Sequence, residues 1–544
     1  MVSGVRLSDG APSPMHCIGL FFLRKYEPYS VNIYLIIPIY FYKTSCNLDF
    51  FVIYFIRSNL NFYLFIYILR RNDMRKTKIV CTIGPATESE ERLRELMLAG
   101  MNVARLNFSH GTHEEHKVRI DRIKKVREEL GLPVAILLDT KGPEYRIRTF
   151  ENDKIYLCDG DTFTFTTDEI VGNQERVAVS YKNLHNDLEV GSKIYVNNGL
   201  VHFVVEEIKG HDIICRVTAG GELSNRKSMS FPGKVLKQVY LSEIDKSDIL
   251  FGIEQDVDFI ACSFVSCKQD IDDVRAFLDA HTSDDNISLI AKIENQHGVD
   301  NIDEICQSCD GIMIGRGDMG VEIPFEELPK IQKHLITKCR LLGKRVITAT
   351  EMLESMIYNP RPTRAEISDV ANAVYDGTSA IMLSGETAMG KYPVLAVQTM
   401  AKIAETTEKN INYKKRFFHT EFEISNSVDA VSHATCSMAI NLNAKAIVVC
   451  SLSGRTARMV SRFRPPVDII GICVDQKSVR KLSLSWGVTP VLGESVPTTD
   501  VLFYSAYVTA KKEFNLTKGD QIVITGGQIN GQSGNTNLIK VDTI

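Results

Sequence analysis

The amino-acid sequence predicts an α/β fold: a (β/α)8 barrel of the TIM type, interrupted by a small inserted β domain and followed by an open α/β domain. Three observations predict it. Eight short apolar runs alternate with amphipathic helical stretches. Between the third and fourth runs, one long block switches to strand-type alternation. After about Ser427 a fresh set of apolar runs alternates again with helices.

The elements follow in order. Residues 78–83 form a strand closed by Gly84-Pro85, and residues 90–99 form a helix that Gly100 ends as a C-cap. Residues 102–109 are the second strand, a helix runs from about Thr112 to Leu130, and residues 134–138 are the third strand. The pattern resumes at 258–261, 288–293, 311–314, 345–348 and 380–383, so the barrel occupies 74–145 and 239–426. The block 146–238 carries β-type runs such as 193–196 and 201–205 separated by glycine, a β domain inserted after the third barrel strand. In 427–544, runs at 446–450, 468–472 and 521–524 alternate with helices and give an open α/β sheet.

Composition bounds the function. A chain of 544 residues is too long for one core and predicts two to four domains. With 44% apolar and 24% charged residues it reads as a soluble globular protein. A net charge of −4 without a dense Lys/Arg cluster in the body argues against a nucleic-acid partner, so anionic substrates must be held by local sites. The 13 cysteines have no repeating framework and point to reduced thiols in a cytoplasmic compartment. Cys306 and Cys309 make one CxxC pair without a second, which does not read as a zinc site.

Residues 1–73 do not match this plan. They are crowded with Phe, Tyr, Ile, Leu and Asn and lack helical periodicity and turn chemistry. Their longest charge-free stretch, 15 residues over 28–42, contains Pro38 and falls short of the ~20 residues of a membrane span. Three readings stand: a start of the natural protein at Met74, a targeting or membrane-associated extension, or an unusual folded domain. The first is the main expectation, and no membrane partner is expected.

Active sites of such barrels lie at the carboxyl ends of the strands. There, Arg105, Asn107 and Ser109 fall at i, i+2 and i+4, on one face of an extended strand. Lys292 and Glu294 share that relation, and alone they could be a plain ion pair. The next run ends in Gly315-Arg316-Gly317-Asp318-Met319-Gly320, which adds a second carboxylate beside bare backbone. Two carboxylates with substrate oxygens suit Mg2+ or Mn2+, and the glycines let an anion approach the main chain. In the third domain Ser451, Ser453, Gly454, Arg455 and Thr456 lie between a strand and a helix, which is either a phosphate site or an ordinary helix cap. Arg458, Arg462 and Arg464 read as a solvated helix face.

Seven segments (78–85, 105–111, 138–144, 290–295, 315–320, 360–372 and 382–387) resemble pyruvate kinase motifs, in order, and the likeness covers 74–544 and nothing before it. The resemblance implies transfer of a phosphoryl group from phosphoenolpyruvate to ADP, giving pyruvate and ATP. It implies that Glu294 and Asp318 bind Mg2+, that Lys292 and Arg105 hold the transferring phosphoryl group, and that Thr350 binds substrate with Gly317 and Asp318 nearby and helps protonate the enolate. Asn107, Ser109, Asp139 and the carbonyl of Thr140 would cage K+, which Glu144 makes necessary. Asn107, His110, Arg146 and Lys227 would serve the nucleotide, Lys227 from an inserted β-barrel acting as a lid. A homotetramer in the cytoplasm, with a phosphorylated allosteric effector at Ser451, Ser453, Gly454, Arg455 and Thr456, completes the implied picture. Segment 526–531 lacks the Trp and Arg of forms that prefer fructose 1,6-bisphosphate, so AMP or ribose 5-phosphate is the expected effector.

Four positions depart from the family pattern. Asn197 and Asn198 stand where two aspartates are common, Ser266 where arginine is frequent, and Glu351 where glutamine is usual. These predict altered kinetics rather than lost activity. The rival readings are another metal-dependent barrel enzyme using phosphoenolpyruvate or a related keto acid, a catalytically dead sensor that kept the fold, and a membrane-tethered form.

Overall fold

The computed structural model describes residues 75–234, 236–282, 287–514, 516–527 and 535–544, and the backbone of three short strands, Ile18–Gly19, Ile39–Phe41 and Phe51–Ile53. Those three strands pair antiparallel with one another, in a unit (residues 1–71) separate from the rest. The readings of residues 1–73 otherwise lie outside the described residues.

Eight strands close a parallel barrel: Lys78–Thr82, Val103–Asn107, Ala135–Asp139, Phe259–Cys262, Ser288–Ile293, Gly311–Gly315, Arg345–Ala349 and Ala380–Leu383. Each is buried on both faces, as the unbroken apolar runs require. Val80, Val103, Leu137, Phe259, Ala261, Ile290, Met313 and Ile347 share the inner cluster, while their neighbours Ile79, Ala104, Ile136, Ile260 and Ile312 pack outward under the helices. The helices start and stop where local chemistry dictates. Thr112 and Glu115 form a capping box before His113–Leu130, and Gly131 ends that helix at φ 62°.

The second strand is shorter than expected. It stops at Asn107, and Ser109 lies in the following turn, so the predicted three-residue face holds only for Arg105 and Asn107. The chain turns because the Ser109 N–H donates to Asn107 Oδ1 at 3.1 Å, replacing a ladder bond.

The inserted block folds around Phe163, Phe165 and Phe203. It comprises a seven-stranded sheet and a separate two-stranded ladder, Lys154–Leu157 with Gly221–Ser224. Its terminal strands, Arg176–Ala178 and Tyr145–Arg146, meet through an antiparallel bridge between Ile147 and Val179, where the Ser180 N–H donates to the Arg146 carbonyl at 2.8 Å and the Arg148 N–H to the Ala178 carbonyl at 2.8 Å, so the small sheet closes on itself.

The C-terminal sheet has five strands, in the spatial order Val488–Leu492, Asp468–Cys473, Ala446–Cys450, Gln521–Gly527 and Thr536–Thr543, the last antiparallel. The two edge strands are not evident in the sequence; Pro490 disguises the first, and an edge is where a strand tolerates proline. Leu484 of this domain joins the barrel's inner cluster as a plug at its amino end. Beside it, Arg480 Nε donates to the buried Asp258 at 2.7 Å. Arg462 and Arg464 are buried too, correcting the solvated-face reading. The helix Arg455–Arg462, which ends two residues before Arg464, lies against Gly343 of the barrel, where an added Cβ would sit 2.4 Å from Met459 Cε.

Candidate active site

The two-residue period of the strands builds the site. Two residues beyond the inward-facing Val80, Val103, Leu137, Ala261 and Ile290 come Thr82, Arg105, Asp139, Ser263 and Lys292, so the same parity that fills the barrel with apolar chains delivers polar ones to its carboxyl end. They interlock. Arg105 donates from Nε to Asp139 Oδ2 at 2.6 Å and from Nη1 to Thr82 Oγ1 at 2.9 Å. Lys292 Nζ lies 3.1 Å from Asp139 Oδ1 and 3.1 Å from Glu294 Oε1, and donates to Ser263 Oγ at 2.7 Å. Ser263 in turn donates to the carbonyl of Thr140 at 2.7 Å.

The electrostatics follow from burial among charges. Burial pushes the Asp139 carboxyl up, but Arg105 and Lys292 together hold it below the usual range. Burial pushes the Lys292 ammonium down, and the carboxylates of Asp139 and Glu294 more than reverse that. This lysine is therefore a fixed positive charge. Glu294 is raised, by burial first and then by Asp318 and Asp139, against the pull of Lys292. Asp318 is raised by burial as well.

Two facing carboxylates held partly against ionisation form a donor set that fits an oxygen-seeking divalent cation. Glu294 Oε2 is fixed by the Phe264 N–H at 2.9 Å, and a Cβ on Gly315 would lie 2.6 Å from Glu294 Oε1, so glycine keeps that oxygen accessible. No group of three or more His, Cys, Asp or Glu suited to a metal occurs among the described residues, which leaves the remaining coordination positions to substrate or water.

Thr350 sits at the end of the seventh strand with φ 65°, and Glu351 follows at φ 53°. Left-handed backbone at a β-branched residue is costly and must be imposed by its surroundings. The Arg316 guanidinium imposes it: it donates to the carbonyls of Ala349 (3.2 Å), Thr350 (2.6 Å) and Glu351 (3.1 Å) and is anchored on Asp369 at 2.6 and 2.8 Å. The Gly317 N–H donates to Thr350 Oγ1 at 2.8 Å, joining this turn to the helix that carries Asp318. Sequence reasoning missed Arg316, Asp369 and Ser263. The signal for Ser263 was its inward parity; Arg316 and Asp369 are far apart in sequence and carried none.

Asn107 and Asp139 are register neighbours on adjacent strands. Glu144 pairs with Arg146, and its Oε2 is buried with no hydrogen-bond partner, an orphaned acceptor that fits a nearby cation. Arg146 also donates to the Arg226 carbonyl at 2.7 Å and pairs in register with Ser228, which places Lys227 close by at the root of the inserted domain. His110 is exposed in the turn after the second strand. Asn197, Asn198 and Gly199 all have positive φ (57°, 54° and 75°), a turn that asparagine tolerates well, and Gly199 closes onto Val321 of the Asp318 helix. Ser266 accepts from Asn295 Nδ2 at 3.1 Å.

In the C-terminal domain, Gly454 has φ 74° at the start of the helix, while Thr456 is buried and its hydroxyl bonds to that of Thr536 at 2.5 Å. That contact turns Thr456 inward. Residues 528–531, part of the effector reading, lie outside the described residues.

Residues 74–397 match the family description "Pyruvate kinase, barrel domain", and residues 429–542 match "Pyruvate kinase, alpha/beta domain". The chain belongs to the pyruvate kinase family. The pyruvate kinase of Staphylococcus epidermidis is 49% identical over 475 residues, covering 87% of this chain and 81% of the relative. That of Bacillus licheniformis is 50% identical over 471 residues, covering 86% and 80%. A crystal structure of a pyruvate kinase from Cryptosporidium parvum superposes with a TM-score of 0.82 at 38% identity, covering 86% of this chain and 96% of that one. The chain is accordingly a phosphotransferase of the metal-dependent kinase type. Among the described residues no helix is long and apolar enough to cross a membrane.

Proposed function

We propose that the chain moves the phosphoryl group of phosphoenolpyruvate to ADP at the carboxyl end of the barrel, and that Lys292 carries the chemistry. The supporting observation is that Lys292 is buried between the carboxylates of Asp139 and Glu294, 3.1 Å from each, which favour its charged form. A fixed cation where negative charge develops on the bridging oxygen lowers the barrier without solvent reorganisation. Arg105, steered by Asp139 and Thr82, orients the phosphoryl oxygens. Mg2+ on Glu294 and Asp318 would supply Lewis-acid stabilisation to the substrate's carboxylate and phosphoryl oxygens. Thr350, with its hydroxyl located by Gly317 N–H, positions the enolate for protonation.

Asn107, Ser109, Asp139 and the Thr140 carbonyl are assigned to K+, with the acidic Glu144 adding to the need for a monovalent cation. His110, Arg146 and Lys227 are assigned to the ADP phosphates under the inserted lid. Activation by a phosphorylated metabolite at the 451–456 loop, a homotetramer and a cytoplasmic location belong to the same reading.

Pyruvate release from phosphoenolpyruvate tests it, with ADP, Mg2+ and K+ each omitted in turn and Lys292→Met alongside. The expected result is dependence on all three and a loss in the variant of about 10³-fold in kcat. Undiminished turnover by Lys292→Met would remove Lys292 from the chemistry. Activity indifferent to K+ would retire the cation cage alone.

A further inference from the structure

Besides Thr350 and Glu351, the active site holds Phe264 in left-handed backbone, at φ 56°. Phe264 lies in the loop between the strand Phe259–Cys262 and the helix Lys268–His281. A bulky residue adopts that conformation only where its neighbours impose it. The turn has a visible use. It aims the Phe264 N–H at Glu294 Oε2, 2.9 Å away, while Ser263 just before it accepts from Lys292 Nζ at 2.7 Å. One tight turn thus serves both the carboxylate assigned to the metal and the lysine assigned to the chemistry.

Ser266 is where the loop is tied down. Its N–H donates to Asp270 Oδ2 at 2.8 Å, its carbonyl accepts from Asn301 Nδ2 at 2.9 Å, and its hydroxyl accepts from Asn295 Nδ2 at 3.1 Å. Asn301 precedes the helix Ile302–Ser308, where an asparagine side chain ordinarily caps; here it makes no cap bond, and its amide reaches back 35 residues to Ser266. Asn295 does both, because its Oδ1 also accepts from the Gly298 N–H at 2.8 Å. A Cβ on Gly298 would lie 2.5 Å from the Val265 carbonyl oxygen, so only glycine lets that helix press on the loop. The near end is fixed by Tyr240, whose hydroxyl donates to the Ser263 carbonyl at 2.8 Å. Arginine, frequent in the family at position 266, has no acceptor and could not take the bond from Asn295. The tie is therefore particular to a chain with serine there.

We propose that Ser266, Asn295 and Asn301 are positioning residues for the divalent cation: together they hold Phe264 in the left-handed turn that fixes Glu294 Oε2 and so orients this carboxylate for the metal. The inference rests on the reading of Glu294 as a metal ligand. None of the three side chains need touch the ion; they act through the Phe264 N–H.

Titration of the full chain with Mn2+, followed by loss of the free-ion electron paramagnetic resonance signal, tests the proposal without relying on turnover. The variants are Ser266→Ala, which removes the hydroxyl, Ser266→Thr, which keeps it, and Asn301→Ala, with Glu294→Gln as the reference for the ligand itself. Mn2+ affinity should fall about tenfold in Ser266→Ala and in Asn301→Ala, the lower end for lost support behind a metal ligand, and should hold in Ser266→Thr. Phe264→Gly separates a backbone role from general loosening, because glycine takes left-handed backbone without penalty. In the Phe264→Gly background, Asn301→Ala should lower affinity by about threefold or less, so that the two changes are not additive. A loss in Glu294→Gln with wild-type affinity in both Ser266→Ala and Asn301→Ala would overturn the inference alone, as would an equal loss for Asn301→Ala in both backgrounds. Unchanged affinity in Glu294→Gln would overturn the metal-ligand reading and the inference with it.

Discussion

Gly315 shows how far a single carbon matters at this site. A methyl group there would lie 2.6 Å from Glu294 Oε1 and 2.7 Å from its Cγ, and Glu294 cannot retreat because Oε2 is held by Phe264 N–H. Gly315→Ala is expected to raise the Mg2+ concentration for half-maximal activity by about 10–100-fold, the range for displaced support of a metal ligand; steady-state titration with Mg2+ measures it. Arg316 is the second such residue. It holds a threonine at φ 65°, a conformation costing about 1–3 kcal/mol. In Arg316→Met the turn relaxes, and kcat should fall about 10²-fold while the circular dichroism spectrum stays unchanged. An equal loss of secondary structure would make Arg316 a folding residue instead.

At the scale of elements, the inserted domain meets the barrel at the helix Arg316–Glu322. Glu322 is raised from 4.5 to about 7, by burial first and by Asp318 as well, although the Phe231 N–H of the inserted domain pulls the other way. A carboxyl raised in the folded state stabilises the fold fully below its unfolded value near 4.5 and loses that contribution as pH climbs through 7. The span corresponds to roughly 3 kcal/mol. Glu322→Gln keeps an acceptor for Phe231 and removes the titration. It should therefore melt above wild type at pH 8, with the gap closing by about pH 5; a gap independent of pH would contradict the assignment.

At the scale of the molecule, the C-terminal domain seals the barrel's amino end with Leu484, fully buried in the inner cluster, and flanks it with the Arg480–Asp258 ion pair. Removing a buried leucine side chain leaves a cavity and costs about 2–5 kcal/mol. Leu484→Ala should lower the urea midpoint of the first unfolding transition, because the contact lies between domains and either can separate first. A midpoint identical to wild type would mean that Leu484 does not hold the domains together.

The sequence by itself determined the barrel, the inserted β block and the open C-terminal sheet, and it located Lys292, Glu294 and Asp318 at the carboxyl ends of their strands. Local rules suffice for these: apolar periodicity names strands and helices, and strand parity fixes which side chains reach the carboxyl end. It overextended the second strand to Ser109 because the Asn107 side chain, not the hydrophobic pattern, ends that strand. It read Arg462 and Arg464 as solvated because charge on a helix is ordinarily exposed, whereas the domain interface buries them. Only the tertiary structure decided what depends on distant partners. The Arg316–Asp369 clamp spans 53 residues, the Arg480–Asp258 pair spans 222, and the bond from Arg464 to the Gly377 carbonyl spans 87 and joins two domains. No periodicity encodes such meetings, because each requires the chain to have folded before the partners come within reach.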